Sequence, residues 1–315
     1  MIRRLFAILL AVVAPSAALA QSCSFSISPV VFLNVDTLSS ARTDITATVA
    51  ISCSGVSLST IRICPSIGAR SGGATASARQ MTSGASTLNY QLYQNASRSV
   101  VWGSYNWALP GTPPTIDLPL ALNGTGSTNV TIFARAFGGQ GTIPPGTYTT
   151  SFSATDDDFV YGTTLGVLPC PNVVAVPQHA HPTFTGTATV LSNCKVVATD
   201  IDFGSQGVLA ANVDAAGSLS VTCTSGTTYN VGLDDGHQNA GPSGRAMSLG
   251  ANKVGYGLYR DNARSLVWGS TVASNTAGGT GNGSAQPFIV YARVPPQVTP
   301  LAGTYTDVIV VTVTY

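Results

Sequence analysis

Charge is the scarcest ingredient of this sequence. Asp, Glu, Lys and Arg make up 9% of the 315 residues, against about 25% in an ordinary soluble domain. That deficit argues against a helix-rich fold, because exposed helix faces are usually clothed in those residues. No window shows a capped stretch with helical apolar spacing. Disorder is not implied either, since 44% of residues are hydrophobic and aromatics occur throughout. With a formal net charge of +1, no strong pull toward nucleic acid is expected. Histidine is rare (His179, His181 and His237), and no two cysteines form a C-x-x-C pair, so a zinc site has little support. There is no G-x-S-x-G nucleophile motif. The few acidic residues sit in turns, which argues against the paired carboxylates, about 5–9 Å apart, of a glycosidase. We therefore assign no catalytic residue, metal ligand or cofactor.

Other signals are better read as structure. Asp156-Asp157-Asp158 lacks the spaced ligands of a calcium loop and reads as a solvated turn. His179-Ala180-His181 sits in a Pro-flanked stretch that reads as linker. Gly278 to Gly283 has the glycine of a phosphate loop without its Lys or its helix.

The chain opens with Arg3 and Arg4, an apolar run from Leu5 to Val13, and Ala18-Leu19-Ala20. This is the three-part pattern of a secretory signal peptide, and the run is too short to span a membrane. Residues 1–20 are expected to be removed, and no second run approaches spanning length. Without Arg3 and Arg4, 14 − 2 = 12 basic residues face 13 acidic ones, a net charge of −1. Six cysteines behind an export signal point to disulfides. Cys23 and Cys53 are 30 apart, and Cys194 and Cys223 are 29 apart. Spacing suggests these two pairs, and elimination leaves Cys64 with Cys170. Six cysteines allow fifteen pairings, so the sequence leaves the others open.

The chain repeats itself. Residues 79–104 and 245–270 align without gaps at an offset of 166, with 13 of 26 positions identical, among them Met81 with Met247, Tyr90 with Tyr256, Arg98 with Arg264, and Trp102 with Trp268. Further anchors follow in order: Phe32 with Phe203, Ala134-Arg135 with Ala292-Arg293, and Gly146-Thr147-Tyr148 with Gly303-Thr304-Tyr305. A period this long means tandem domains rather than a solenoid. The expected organisation is a first domain at 21–170, a linker at 171–193 and a second domain at 194–315. Thr43 to Cys53 alternates apolar and polar residues, and Asp307 to Tyr315 is β-branched almost throughout. Short strands separated by Gly, Pro and Asn turns predict an all-β protein of antiparallel sandwiches. Arg79, Arg98, Arg135 and their second-copy equivalents recur in both domains, as do the two tryptophans, and are expected to serve structure.

These residues carry a resemblance. An early Cys, Ile201-Asp202-Phe203-Gly204, a second Cys about 30 later, R-x-M, Y-x-L-Y, V-W-G, Tyr291-Ala292-Arg293 and an A-G-T-Y-x-D stretch before a V-x-V-T-V-T-Y strand resemble the spore coat protein U domain family. The likeness is close in the second copy and covers nearly the whole mature chain. The first copy departs from it, with Leu33-Asn34 in place of Gly204-Ser205 and Phe133 in place of Tyr291. That family supplies the subunits of archaic (Csu-type) chaperone–usher fimbriae. The resemblance implies two tandem immunoglobulin-like sandwiches, the second lacking its final strand. A periplasmic chaperone, an outer-membrane usher and an adjacent pilin that donates a strand are the implied partners, without nucleic acid or a membrane span.

The groove for that strand is expected along the terminal segment, at Val308, Ile309, Val310, Val311, Val313 and Tyr315. Two segments compete to complete the first domain: Phe159 to Leu168, tethered through Cys170 and favoured, and Thr183 to Leu191. Cleavage after Ala20 leaves Gln21 and Ser22 ahead of Cys23, too few residues for a strand of about 5–6. The expectation is a two-domain tip subunit, exported through the periplasm to the end of a fimbria. Its surface-binding loops are expected to carry Leu33, Val35, Trp107, Leu109, Ile116 and Leu118, together with Leu38 and Leu120, and to face an abiotic or host surface. The alternative reading of Ile116 to Leu122 is an extra strand. The alternative function is a secreted spore-coat or surface protein that does not polymerise.

Overall fold

The structure is a computed structural model describing residues 21–69, 71–108, 110–163, 170 and 177–315. The expected signal peptide and Leu109 lie outside the described residues. Strands and turns account for the described chain, as low charge and dense turn chemistry led us to expect.

The first domain begins with β1 (Ser22–Ile27), β2 (Val30–Val35), β3 (Thr43–Ser54), β4 (Thr60–Ile67), β5 (Arg79–Ser83) and β6 (Ser86–Tyr93). It continues with β7 (Ile116–Pro119), β8 (Thr125–Ala136), β9 (Gly146–Phe152), β10 (Asp157–Thr163), β11 (Gln178–Ala180) and β12 (Phe184–Val190). One sheet runs β1-β3-β8-β6-β5-β9-β12-β2 and the other β11-β10-β4-β7. The alternation along β3 places Ala47, Val49, Ile51 and Cys53 on the core face. Between the sheets pack Phe32, Tyr90, Trp102, Ile132, Tyr148 and Phe159, all essentially without solvent exposure.

The second domain comprises β13 (Cys194–Ala198), β14 (Val213–Cys223), β15 (Thr228–Leu233), β16 (Ala246–Leu249), β17 (Asn252–Gly255), β18 (Gly257–Tyr259), β19 (Ala277–Thr280), β20 (Gln286–Val294) and β21 (Val311–Thr314). Its sheets run β13-β14-β20-β18, β19-β15-β21 and β16-β17.

Disulfides join Cys23 to Cys53, Cys64 to Cys170 and Cys194 to Cys223. The first and third clamp cross-strand pairs, Cys23 opposite Cys53 and Cys194 opposite Cys223.

The repeated arginines and tryptophans hold each sandwich together. Trp102 Nε1 donates to Pro65 O at 2.8 Å, and Trp268 Nε1 to Val231 O at 2.9 Å. Arg79 is fully buried and donates to the carbonyls of Gly68, Ile67 and Trp102 and to Gln91 Oε1. Arg245 does the same for Asp234, Leu233 and Trp268. Arg98 and Arg264 adopt left-handed φ values of 53° and 56° in matching turns and donate to Ala134 O and Ala292 O. Arg135 and Arg293 make two-pronged ion pairs with Asp44 and Asp214, which hold both carboxyls below their usual range.

Residues 171–193 were expected as linker. Their described part instead contributes β11 and β12 to the two sheets of the first domain. The apolar alternation of Phe184, Gly186, Ala188 and Val190 buries one face of β12 in the core, which a free linker would leave in water. Three residues, 191–193, separate β12 from β13.

Candidate functional site

The two domains differ at one place. In the first, β12 lies between β9, to which it is antiparallel, and β2, to which it is parallel. Phe184 stands opposite Phe152, Gly186 opposite Thr150, Ala188 opposite Tyr148, and Val190 opposite Gly146. Phe184 and Phe152 stack with ring centroids 4.0 Å apart.

In the second domain the flanking segments are both present. Gly303 to Ile309 follows the course of β9. Thr306 bridges Ser248 just as Thr149 pairs with Thr82 in the first copy. Tyr305 Oη donates to Leu301 O as Tyr148 Oη does to Pro144 O. Residues 201–207 follow the course of β2. Between these two segments lies an open groove of roughly 630 Å³, lined by Ile201, Phe203, Met247, Val254, Val294 and Tyr305 among others. The first-domain counterparts Val30, Phe32, Met81 and Tyr148 are fully buried beneath β12, whereas Ile201, Phe203, Met247 and Tyr305 are each half-buried. A sheet edge with apolar side chains below it is a template for pairing with another strand.

This geometry decides between the segments proposed to complete the first domain, and it overturns the one favoured on sequence. β10 pairs with β4, Phe159 opposite Pro65, as β21 pairs with β15, Val313 opposite Val231. β10 therefore has a counterpart in the second copy and is part of the repeated fold. β12 has none. Residues 164–168 of the favoured segment lie outside the described residues.

The groove residues expected from sequence are displaced from this site. Val311 and Val313 belong to β21 and are paired with Leu233 and Val231. Val308, Val310 and Tyr315 point outward, while Ile309, Val311 and Val313 pack on the core. Ile309, the counterpart of Phe152, is partly buried against the core of the second domain. Val308 to Tyr315 looked like an open edge because sequence alone does not reveal that the chain switches sheets near residue 310.

Polar residues line part of the groove, Asp202, Ser205, Gln206, Thr299 and Thr304 among them, and Asp307 follows two residues beyond the lining Tyr305. Asp307 stands where the first copy has Thr150, with a side chain only 3% exposed. Its Oδ2 accepts from Tyr256 Oη at 2.8 Å, and its Oδ1 from His237 N and Val308 N, both at 2.9 Å. Burial works against the charge, but these donors hold the Asp307 carboxyl below its ordinary range. Burial, with the neighbouring carboxylate, pushes the Tyr256 hydroxyl well up.

The expected surface loops divide differently. Val35 and Leu118 are 3% and 5% exposed and belong to the core, so neither presents itself to a surface. Ile116 to Pro119 is strand β7, paired with β4 as β19 is with β15, so the first part of that stretch is a strand, though one shared by both copies rather than an extra one. Leu120 is buried as well. Trp107 is half-buried against the backbone of Gly68. Leu33 is exposed, but on β2, which ends beside the second domain: Asp36 Oδ1 accepts from Asn193 Nδ2 at 3.2 Å, and Gly141 O from Ser225 N at 3.2 Å.

The opposite end of the sandwich carries apolar residues that sequence reading passed over. Loops 55–59 and 120–124 are joined by hydrogen bonds from Gly55 N to Gly124 O (2.9 Å) and from Leu120 N to Ser59 O (2.8 Å). Val56, Leu58 and Leu122 project from them, Leu58 at 72% and Leu122 at 80% exposure. Leu58 holds a φ of 58°, uncommon for a residue with a Cβ.

A family model for the Spore Coat Protein U domain matches residues 9–155 and again 180–312. Protein U of Myxococcus xanthus is 32% identical over 117 residues, which is 35% of this chain. The match spans 65% of that protein's length. Among solved structures, the chaperone–tip adhesion subunit pre-assembly complex from the archaic chaperone–usher Csu pili of Acinetobacter baumannii superimposes with a TM-score of 0.55 at 17% identity, covering 93% of this chain and 100% of the other. That likeness concerns the fold. A tip adhesin from Pseudomonas aeruginosa is more distant, with a TM-score of 0.36 at 13% identity over 94% of this chain and 95% of the other. Two copies of one motif series and two matches of one family model, together spanning most of its length, place this chain in the Spore Coat Protein U domain family.

Proposed function

We propose that this chain is a non-enzymatic tip adhesin of a chaperone–usher fimbria, with a self-completed outer domain and an inner domain that accepts a strand from the neighbouring subunit. The observation that carries this reading is the contrast between the copies. The first fills the space between β2 and β9 with its own β12, while the second leaves the same space open over half-buried Phe203, Met247 and Tyr305. Strand addition supplies both missing ladders and covers the core beneath. A periplasmic chaperone would occupy the groove before assembly at the outer-membrane usher. Export and display at the cell surface follow from this assignment. No helix among the described residues is long and apolar enough to cross a membrane.

The surface contact belongs to the far end of the first domain. Val56, Leu58 and Leu122 form an apolar tip on two bonded loops, suited to weak attachment to apolar abiotic or host surfaces. Immunogold labelling of fibres with antibody to the first domain tests the assignment. Label confined to fibre ends is expected, and label distributed along the shaft would overturn it.

A further inference from the structure

The end of the first domain that carries residues 36–38 and 140–144 is seated on the second domain. Gly141 O accepts from Ser225 N, and Asp36 Oδ1 from Asn193 Nδ2, both at 3.2 Å. Gly283 approaches so closely that a Cβ on it would lie 2.4 Å from Gly141 O. The matching end of the second domain is bare. We infer that this end, carrying Val208, Val298 and Leu301 outside the strand groove, is a docking face for the globular body of the adjacent pilin; the inference rests on the strand-acceptor reading above.

The match between the two ends is fixed by hydrogen bonds. Gln140 Oε1 accepts from Asn89 N, and its Nε2 donates to Asn89 O and Phe137 O. Gln297 repeats this with Gly255 N, Gly255 O and Pro295 O, and 255 − 89 gives the repeat offset of 166. Val298 therefore stands where the first copy has Gly141. Counted from Phe32 and Phe203, Gly207 replaces Asp36 and Val208 replaces Thr37. Leu301 replaces Pro144, each two residues before the paired Gly303 and Gly146. Leu209 N donates to Thr299 Oγ1 at 2.9 Å, and Leu209 O accepts from Gln297 N at 3.0 Å, which sets Val208 beside Val298. Thr37 is buried and Gly141 half-buried, whereas Val208 is 81% and Val298 92% exposed, with Leu301 exposed beside them.

The chemistry of the junction changes accordingly. The first is polar and backbone against backbone, through Asp36 and two glycines. The second has lost the carboxylate and gained branched side chains, so the pilin must meet it with apolar groups, and the Val298 side chain forbids the glycine-on-glycine approach. The direction of the strand delivers that pilin to this face. β12 ends with Val190 opposite Gly146, and three residues later β13 begins the next domain. A strand lying the same way in the second domain emerges beside Gly303, at the end where Val298 and Leu301 project. The facing loops of the pilin are those equivalent to 224–227 and 281–283, which meet Gly141 within this chain.

The photo-crosslinking residue p-benzoylphenylalanine at Val298, in cells assembling fibres, is the probe. The same residue at Phe203 reports the groove, and at Ile289, exposed on β20, it serves as control. Irradiation should join position 298 to a one-domain pilin of this family in the loop after its second cysteine. Position 203 should capture the strand ahead of that pilin's first cysteine, and position 289 neither. The double variant Val208→Ser with Val298→Ser should leave the melting of the purified chain unchanged, since both side chains are exposed. It should raise shedding of this subunit from sheared fibres severalfold. Capture at 203 with none at 298, or capture at 298 of a second copy of this chain, would overturn the docking face and leave the strand-acceptor reading intact. Unchanged shedding would overturn the face too. Capture at neither 203 nor 298 would overturn both readings.

Discussion

Arg79 shows why a charge can survive in a core so poor in charge. Burial pulls its guanidinium down to about 10, still high enough to remain protonated at neutral pH. The fork then supplies donors to three carbonyls and Gln91, closing a crossing between the sheets. Arg79→Met should cost about 3 kcal/mol or more, because buried acceptors are left without donors. Denaturant unfolding measures the loss, and a cost below about 1 kcal/mol would contradict this role. Asp307 makes a pH-dependent contribution. Its folded value lies below the ordinary 3.8, so its stabilisation is complete above the unfolded value and disappears as pH falls through the folded one. The stability gap between wild type and Asp307→Asn should therefore narrow below about pH 4, as followed by thermal melts from pH 7 to pH 3. A gap independent of pH would remove Asp307 as its source.

At the scale of the element, β12 is where local pattern and repeat symmetry disagree. Its ladders to β9 and β2 close the first sandwich, and its Phe184 is buried against Phe152. Phe184→Ala should destabilise the first domain by about 3–5 kcal/mol, visible as a lowered first transition in a melt while the second domain's transition stays in place. Both candidate segments for this role alternate apolar and polar residues, so alternation alone could not choose. The choice came from register: Phe159 meets Pro65 as Val313 meets Val231, which marks β10 as common to both copies. Ile116 to Leu122 supports either a surface loop or a strand on sequence, since only a few alternating residues lie between Pro114 and Pro119. At the edge of a sheet Pro119 is tolerated, and Leu118 and Leu120 turn inward.

For the molecule as a whole, the separation of roles follows from which ends are covered. One end of the first domain meets the second through Asp36, Gly141, Asn193 and Ser225. The far end exposes Val56, Leu58 and Leu122. Replacing these three by Ser should reduce attachment to polystyrene severalfold while fibre display stays constant by immunoblot. Unchanged attachment would remove the apolar tip from the mechanism. The disulfide between Cys64 and Cys170 closes 106 residues. The double replacement by Ser should cost about 2–5 kcal/mol, chiefly by loosening the unfolded chain, and would be read from the first transition in guanidinium.

Much was legible beforehand. Low charge, period-two alternation and a repeated series of anchors specified an all-β tandem protein, because these are local properties of the chain. The cysteine pairs suggested by spacing and elimination are the bonded ones. Recurrence in both copies marked Trp102 and Arg79 as structural, since a residue required by the sandwich must occur in every sandwich. What required the tertiary structure was the placement of vacancy and exposure. Whether Val35 is buried, whether Leu58 projects, and whether a strand lies between two others depend on which distant segments meet. Such meetings are set by packing across many residues, and no short stretch of sequence encodes them.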